Sequence, residues 1–172
     1  PLLPVNIAAG LQALLLQGIP LADDLLDGVL GSLQPGGRRE RRRHAAREVL
    51  LDVAHNPAAA AALNAYLRDN PAPGRTIALF SAMADKDIRG IIRACAGAFD
   101  GWIVSALPDV PRSAAADDIA ALLAVEAEQT IAVGLEVTAV VEHLDDFLDR
   151  DDRLVVFGSF LTVAAALAAL DG

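Results

Sequence analysis

From Glu48 to the C-terminus, short apolar runs alternate with stretches of helical periodicity, and this alternation constrains the fold more than any other feature. EVLLDVA (48–54), RTIALFSA (75–82), GWIVSAL (101–107) and RLVVFGS (153–159) each read as a strand covered on both faces. Between and after them, helices are expected over 57–68, 88–99, 114–125, 137–148 and 160–170. Asn56 followed by Pro57 is a helix start, because the Asn side chain can cap and Pro needs no N–H partner at the first helical position. Ile88, Ile91, Ile92, Cys95 and Phe99 fall on one helical stripe, which places Cys95 in the core. Ser113 can cap the third of these helices, and Ile131–Val133 is a candidate short edge strand. The expected fold class is α/β: a Rossmann-like, mostly parallel sheet with helices on both faces, about 120 residues long.

The remainder is different in kind. Residues 5–16 and 21–31 read as two short helices separated by Gly18-Ile19-Pro20, with Asn6 as a cap for the first. Two helices of that size cannot form a core alone, so they imply a neighbour to dock on. Gln34-Pro35-Gly36-Gly37 then shifts into RRERRRHAAR (38–47), expected as a basic, solvated interdomain linker. The organisation expected is therefore 1–36, the linker 37–47 and a domain over 48–172.

Charge and composition exclude several function classes. The formal net charge is −9, yet 38–47 holds six of the 14 basic residues against one acid. The rest carries 8 basic and 22 acidic residues, which argues against a general nucleic-acid or anionic-membrane binder. Aromatics make up 4%, too few for a base-stacking surface. One cysteine permits no intramolecular disulfide and fits a cytoplasmic setting. The apolar stretch 1–22 has no basic leading region and contains Asn6, Gln12, Gln17 and Pro20, so it reads as an amphipathic helix rather than a signal peptide or membrane span.

In a parallel sheet, ligands bind beyond the carboxyl ends of the strands. That rule selects the turns at 52–56, 81–87 and 158–159. Asp52, set in an apolar run, must be paired or hydrogen-bonded; it could serve a helix N–H or a ligand hydroxyl such as a ribose. His55 could donate to a ligand or satisfy neighbouring backbone. Lys86 is the only lysine, and it stands near a helix start where the dipole disfavours a cation. Either it pairs with Asp85 or Asp87, or it holds a phosphate or carboxylate. Ser159 can be a plain N-cap or part of an anion site made with free N–H groups. His44 and His143 read as solvent-facing, and no His or Cys set has metal-ligand spacing. Neither G-x-x-x-x-G-K-[ST] nor G-x-G-x-x-G occurs, and no Ser-His-Asp arrangement can be argued.

Taken in order, LDVAHNP (51–57), ALFSAMADKD (78–87), VFGSFLTVA (156–164) and the preceding PGGR (35–38) resemble the carboxyl-terminal domain of folylpolyglutamate synthase/dihydrofolate synthase, of the Mur ligase superfamily. The two N-terminal helices resemble the end of that family's central ATPase domain. The resemblance implies an ATP-dependent ligase that adds L-glutamate to dihydropteroate or a reduced folate through an acyl phosphate. It implies ATP and Mg2+ as cofactors, with the metal ligands expected in a part of the protein preceding this chain. It implies a cytoplasmic protein, monomeric when full length. By position, Asp52 would contact the ATP ribose and His55 would lie beside nucleotide and glutamate. Arg38, or Arg39 one residue on, would reach ATP. Lys86 would hold the acyl-phosphate or glutamate end, and Ser159 a glutamate carboxylate. His55 and Lys86 are the catalytic candidates. Leu161 departs from the family, which more often has an aromatic or histidine there. The 172 residues are expected not to catalyse ligation alone, since they contain no P-loop. Rival readings are another amino-acid ligase of the superfamily, acting on a muramyl peptide or cyanophycin, and a non-catalytic anion-binding α/β module.

Overall fold

The computed structural model describes residues 4–20 and 36–172. The helix expected over 21–31 and the residue Pro35 lie outside the described residues. Helix α1 (Pro4–Leu16) starts two residues before Asn6, and Leu15 and Leu16 at its end are exposed. Among the described residues no helix is long and apolar enough to cross a membrane.

The α/β body is a six-stranded sheet in the order β1-β2-β6-β3-β4-β5. Its strands are β1 (Glu40–His44), β2 (Arg47–Leu51), β3 (Thr76–Phe80), β4 (Gly101–Ala106), β5 (Thr130–Glu136) and β6 (Arg153–Phe157). Among the described strands only the β1–β2 pair is antiparallel. The helices are α2 (Pro57–Asp69), α3 (Ile88–Ala94), α4 (Ala116–Val125), α5 (Val137–Glu142) and α6 (Phe160–Asp171).

Pleating sends alternate strand residues to opposite faces. Leu50, Ala78, Phe80, Trp102, Val104, Val155 and Phe157 pack under α2, α3 and α4. Val49, Leu51, Ile77, Leu79, Ile103, Leu154 and Val156 pack under α5 and α6. Phe80, Phe99, Trp102 and Phe157 form one aromatic cluster, with ring centroids 4.9–5.8 Å apart. Covering both faces of β2, β3, β4 and β6 accounts for their uninterrupted apolar sequences.

Several boundaries differ from the sequence expectation. The basic stretch read as a solvated linker is instead the β1–β2 hairpin, turning at Ala45 and Ala46 with φ of 47° and 64°. The sequence hides it because two alanines stand where glycine or asparagine signals such a turn. Arg47 is buried, donating from Nε to Leu148 O at 2.9 Å and pairing with Asp145 at 2.6 Å. Ser113 does not cap α4; that helix starts at Ala116 after an uncapped Ala115, and Ser113 Oγ donates to Ala114 O. The helix expected to reach residue 99 ends at Ala94, although Cys95 and Phe99 remain buried as the stripe requires. The helix expected over 137–148 is α5 followed by a 3-10 turn, Leu144–Asp146. Strand β5 is longer than expected and pairs with β4 through two register shifts, which break its sequence pattern.

Candidate functional site

Chain order and sheet order part company at β6, which lies between β2 and β3. The turns leaving β2, β3 and β6 therefore meet at one edge, at the topological switch point of the sheet. Two backbone bonds join the β2 and β6 turns, and a third ties the β2 turn to the segment before β1. Asp52 N donates to Val156 O at 3.0 Å, Gly158 N to Ala54 O at 3.0 Å, and Val53 N to Gly37 O at 2.8 Å.

Asp52 is 7% exposed and its carboxylate is engaged on both oxygens. Oδ1 accepts from Ala54 N–H at 2.8 Å and Oδ2 from Arg39 N–H at 3.1 Å. Burial pushes its carboxyl above the usual range, while the two N–H bonds and the charges of Arg38 and Arg39 pull the other way. Its first task is to fasten the Gly37–Arg39 segment to the end of β2.

The two arginines diverge. Arg39 takes a left-handed backbone (φ 49°), and its guanidinium lies 5.0 Å over the Tyr66 ring with Nη2 reaching Ala62 O at 3.5 Å. That is a packing role. The Arg38 side chain is partly exposed and makes no hydrogen bond or ion pair among the described residues.

His55 Nδ1 lies 2.8 Å from Val53 O. A carbonyl can only accept, so Nδ1 carries the proton and Nε2 is left with a lone pair or a second proton. The imidazole stands 5.7 Å from the Phe160 ring. Asn56, the next residue, caps α2 through Ala59 N–H as its sequence implied.

Lys86 lies on the turn from β3 into α3, where Asp87 caps the helix through Gly90 N–H. Its Nζ meets Asp85 Oδ2 at 3.1 Å, and Asp85 also takes Arg112 at 3.2 Å. The hydrogen bond from Lys86, helped by Arg112, holds the Asp85 carboxyl below the usual range. Of the two acids beside Lys86, Asp85 is thus the partner. An exposed pair of this kind is screened by solvent and weak, so a ligand anion can displace it at small cost.

Ser159 is the N-cap of α6, accepting from Thr162 N–H at 3.0 Å. Gly158 before it has φ 108°, and a Cβ there would collide with Ser81 O. Glycine is required for this turn to press against the end of β3.

His55, Lys86 and Ser159 line a single cleft of about 290 Å3 with Met83, Gly158, Phe160 and Leu161. Asp52, Arg38 and Arg39 do not line it; they build the segment behind it. Phe160 is 60% exposed and Leu161 47%, giving the cleft an apolar lip beside its cation and helix start. Sequence reasoning passed over Met83, Phe160 and Arg112. The loop bearing Arg112 is brought in by Ala84 N donating to Arg112 O at 2.8 Å and by an isolated bridge between Met83 and Ser113, neither of which has a periodic signature. Among the described residues no group of three or more His, Cys, Asp or Glu side chains is placed to hold a metal ion.

Residues 37–160 match the family model described as Mur ligase, glutamate ligase domain. The dihydrofolate synthase/folylpolyglutamate synthase of Escherichia coli K12 is 30% identical over 99% of this chain and 39% of that protein. The same-named protein of Buchnera aphidicola from Acyrthosiphon pisum is 28% identical over 70% of this chain and 28% of its own. Among solved structures, E. coli FolC in complex with DHPP and ADP superposes with a TM-score of 0.81 at 27% identity, covering 99% of this chain and 39% of that one. A bifunctional folylpolyglutamate synthase/dihydrofolate synthase with Mn, AMPPNP and L-glutamate bound gives 0.80 at 30% identity, covering all of this chain and 41% of that one. The chain thus spans between 28% and 41% of the length of these relatives. With the motifs at 51–57, 78–87 and 156–164 converging on one edge of the sheet, and a family match extending over most of its length, the chain belongs to the Mur ligase family, glutamate ligase domain.

Proposed function

We propose that this chain is the glutamate-receiving part of an ATP-dependent acid–amino-acid ligase that joins L-glutamate to dihydropteroate, a reduced folate, or both. The observation that carries this reading is the convergence of His55, Lys86 and the Ser159 helix start on one cleft at the switch point. The curated relatives sharing this region are all named dihydrofolate synthase/folylpolyglutamate synthase, which favours a folate acceptor over a muramyl peptide or cyanophycin.

The donor set suits its ligands. A dianionic amino acid asks for cations and N–H donors, and Lys86 with the first N–H groups of α6 supplies them. Lys86 would exchange Asp85 for a substrate oxygen. His55, with Nδ1–H fixed on Val53 O, has Nε2 available to take a proton from the attacking amine. Arg38, rather than Arg39, is the arginine proposed for the nucleotide, because Arg39 is held over Tyr66. A ribose hydroxyl would add to the remaining lone pairs of Asp52.

ATP would supply the phosphoryl group that activates the acceptor acid, with Mg2+ screening its charge. The described residues offer no metal ligands as a set, so the proposal puts them in a portion of the protein beyond this chain. Residues 1–36 would be the end of an ATPase domain with the hinge at 36–39, because 40–51 already belong to the sheet. The setting proposed is the cytoplasm, with the full-length protein a monomer.

The test is kinetic and uses the full-length protein. Glutamate addition to dihydropteroate, tetrahydrofolate and a muramyl peptide is compared, then repeated with His55→Ala and Lys86→Ala. Each substitution is expected to lower kcat/KM for glutamate by about a hundredfold, the lower end for a positioned acid–base or anion-binding group. Preference for the muramyl peptide, or unchanged kinetics in both variants, would overturn the assignment.

A further inference from the structure

Three hydroxyls stand in line beneath the cleft, and only the last belongs to a residue so far given a ligand. Ser81 Oγ lies 2.6 Å from Thr162 Oγ1, and Thr162 Oγ1 lies 2.6 Å from Ser159 Oγ. Thr162 is fully buried, Ser81 likewise, and Ser159 is 5% exposed. The line joins the turn that bears Lys86 to the start of α6, two of the walls on which the proposed glutamate site depends.

A hydroxyl has one proton to give and two lone pairs to accept with, so the possible arrangements divide by whether Ser159 donates into the line or receives from it. Ser159 Oγ already accepts Thr162 N–H at 3.0 Å. In one direction Ser159 donates to Thr162, and Thr162 donates to Ser81 Oγ or, at 3.4 Å, to Ser81 O. Ser159 then has no proton left for a ligand. In the other direction Ser81 donates to Thr162 and Thr162 to Ser159, which frees the Ser159 proton for the cleft. Donors in series polarise one another, so an anion at the end of the line favours the second direction and is held more strongly for it.

We propose that Thr162 is a positioning residue for the glutamate carboxylate: its buried hydroxyl sets the direction of the Ser81–Thr162–Ser159 line and so makes Ser159 a donor to the substrate. This rests on the functional reading above. Without Thr162, Ser159 remains an N-cap acceptor but loses the hydroxyl that supplies its second bond. Valine at 162 keeps the branched shape and removes only that hydroxyl, whereas serine keeps the hydroxyl.

The experiment measures steady-state kinetics of the full-length protein carrying Thr162→Val, Thr162→Ser or Ser81→Ala, with thermal melting of each. Thr162→Val is expected to raise the KM for glutamate on the order of tenfold, the scale of one hydrogen bond to a charged group, with the KM for ATP unchanged. Thr162→Ser is expected to restore most of the affinity, and Ser81→Ala to raise the glutamate KM by about threefold, a fraction of one such bond. A glutamate KM unaltered in Thr162→Val, or glutamate and ATP KM values rising together, would overturn the proposal in favour of a packing role. If Thr162→Val does not fold, Ser81→Ala decides the question by the same two readings. Failure of the functional reading looks different: the unsubstituted protein would then not consume ATP in response to glutamate and a folate acceptor.

Discussion

Two buried aspartates show how local partners set the behaviour of one residue type. Asp152 is 4% exposed, and burial alone would raise its carboxyl. The Arg75 guanidinium at 2.7 and 3.0 Å, with N–H groups of Asp149 and Arg75, outweighs that and holds the carboxyl below its usual range. A folded-state pKa below the unfolded one contributes stability that is present above the unfolded value and lost as pH falls through the folded one. Asp152→Asn is therefore expected to cost about 2 kcal/mol at neutral pH, the scale of losing a charge-assisted pair. The gap should close under acid conditions, below the ordinary aspartate range of about 4. Urea denaturation at pH 7 and pH 3 checks this, and an equal gap at both would refute it. Asp52 has the opposite sign: its carboxyl is raised, so its charged form is the less favourable one in the folded state. Asp52→Asn relieves that burden while losing one N–H acceptor, and the same denaturation series should show a smaller loss at pH 7 than for Asp152→Asn. The strand sequence showed that Asp52 had to be satisfied. It did not show that Arg39 N–H, thirteen residues earlier, would do so, because that bond exists only after the hairpin has formed.

At the scale of elements, the turn from β6 into α6 is the most constrained piece of the cleft. Gly158 takes φ 108°, with Ser81 O and the Phe80 ring where a Cβ would stand. Gly134 in β5 also has a positive φ, 82°, but nothing lies within 4 Å of a Cβ built there. The two glycines separate backbone strain from collision. Gly134→Ala is expected to cost about 1 kcal/mol, from conformation alone. Gly158→Ala should cost about 3 kcal/mol, strain and displacement together, and should weaken glutamate use by moving Ser159. Melting temperatures of the two variants, with glutamate kinetics of the second, test this; equal destabilisation would refute it. The sheet strands were legible because burial on both faces leaves a continuous apolar signature, and α2 was legible because Asn56-Pro57 marks a start by local chemistry. The hairpin was not. Its turn alanines carry no signal, and its strand is a row of arginines whose partners are scattered: Glu48 across the hairpin for Arg41, Glu40 on the same strand and the far Asp171 for Arg42. Those partners neutralise Arg41 and Arg42, and among the described residues Arg38 is the arginine of the run whose side chain makes no hydrogen bond or ion pair.

For the whole molecule, the cleft has the Lys86 cation and a helix start on this chain, but among the described residues no phosphate-cradling or metal-binding element. The sequence contains no P-loop motif, and the described residues hold no metal-ligand set. Helix α1, with Leu15 and Leu16 exposed, offers apolar surface. An acyl phosphate is destroyed by water unless it is enclosed, so a cleft open on one side cannot protect it even if it formed. The proposed ligase therefore requires a second wall, and the site is legible in this sequence only as half of a site. This leads to a prediction for the chain taken alone. The body from residue 36 has a complete two-layered core and should unfold cooperatively, yet the 172 residues supplied with ATP, Mg2+, glutamate and dihydropteroate should release no phosphate above background. Adding the remaining part of the full-length protein as a separate polypeptide should restore turnover if the two walls associate, and Lys86→Ala in this chain should abolish the restoration. Phosphate release coupled to glutamate incorporation is the measurement. Turnover by the isolated chain would show that its cleft is sufficient, and would refute the division of labour argued from its residues.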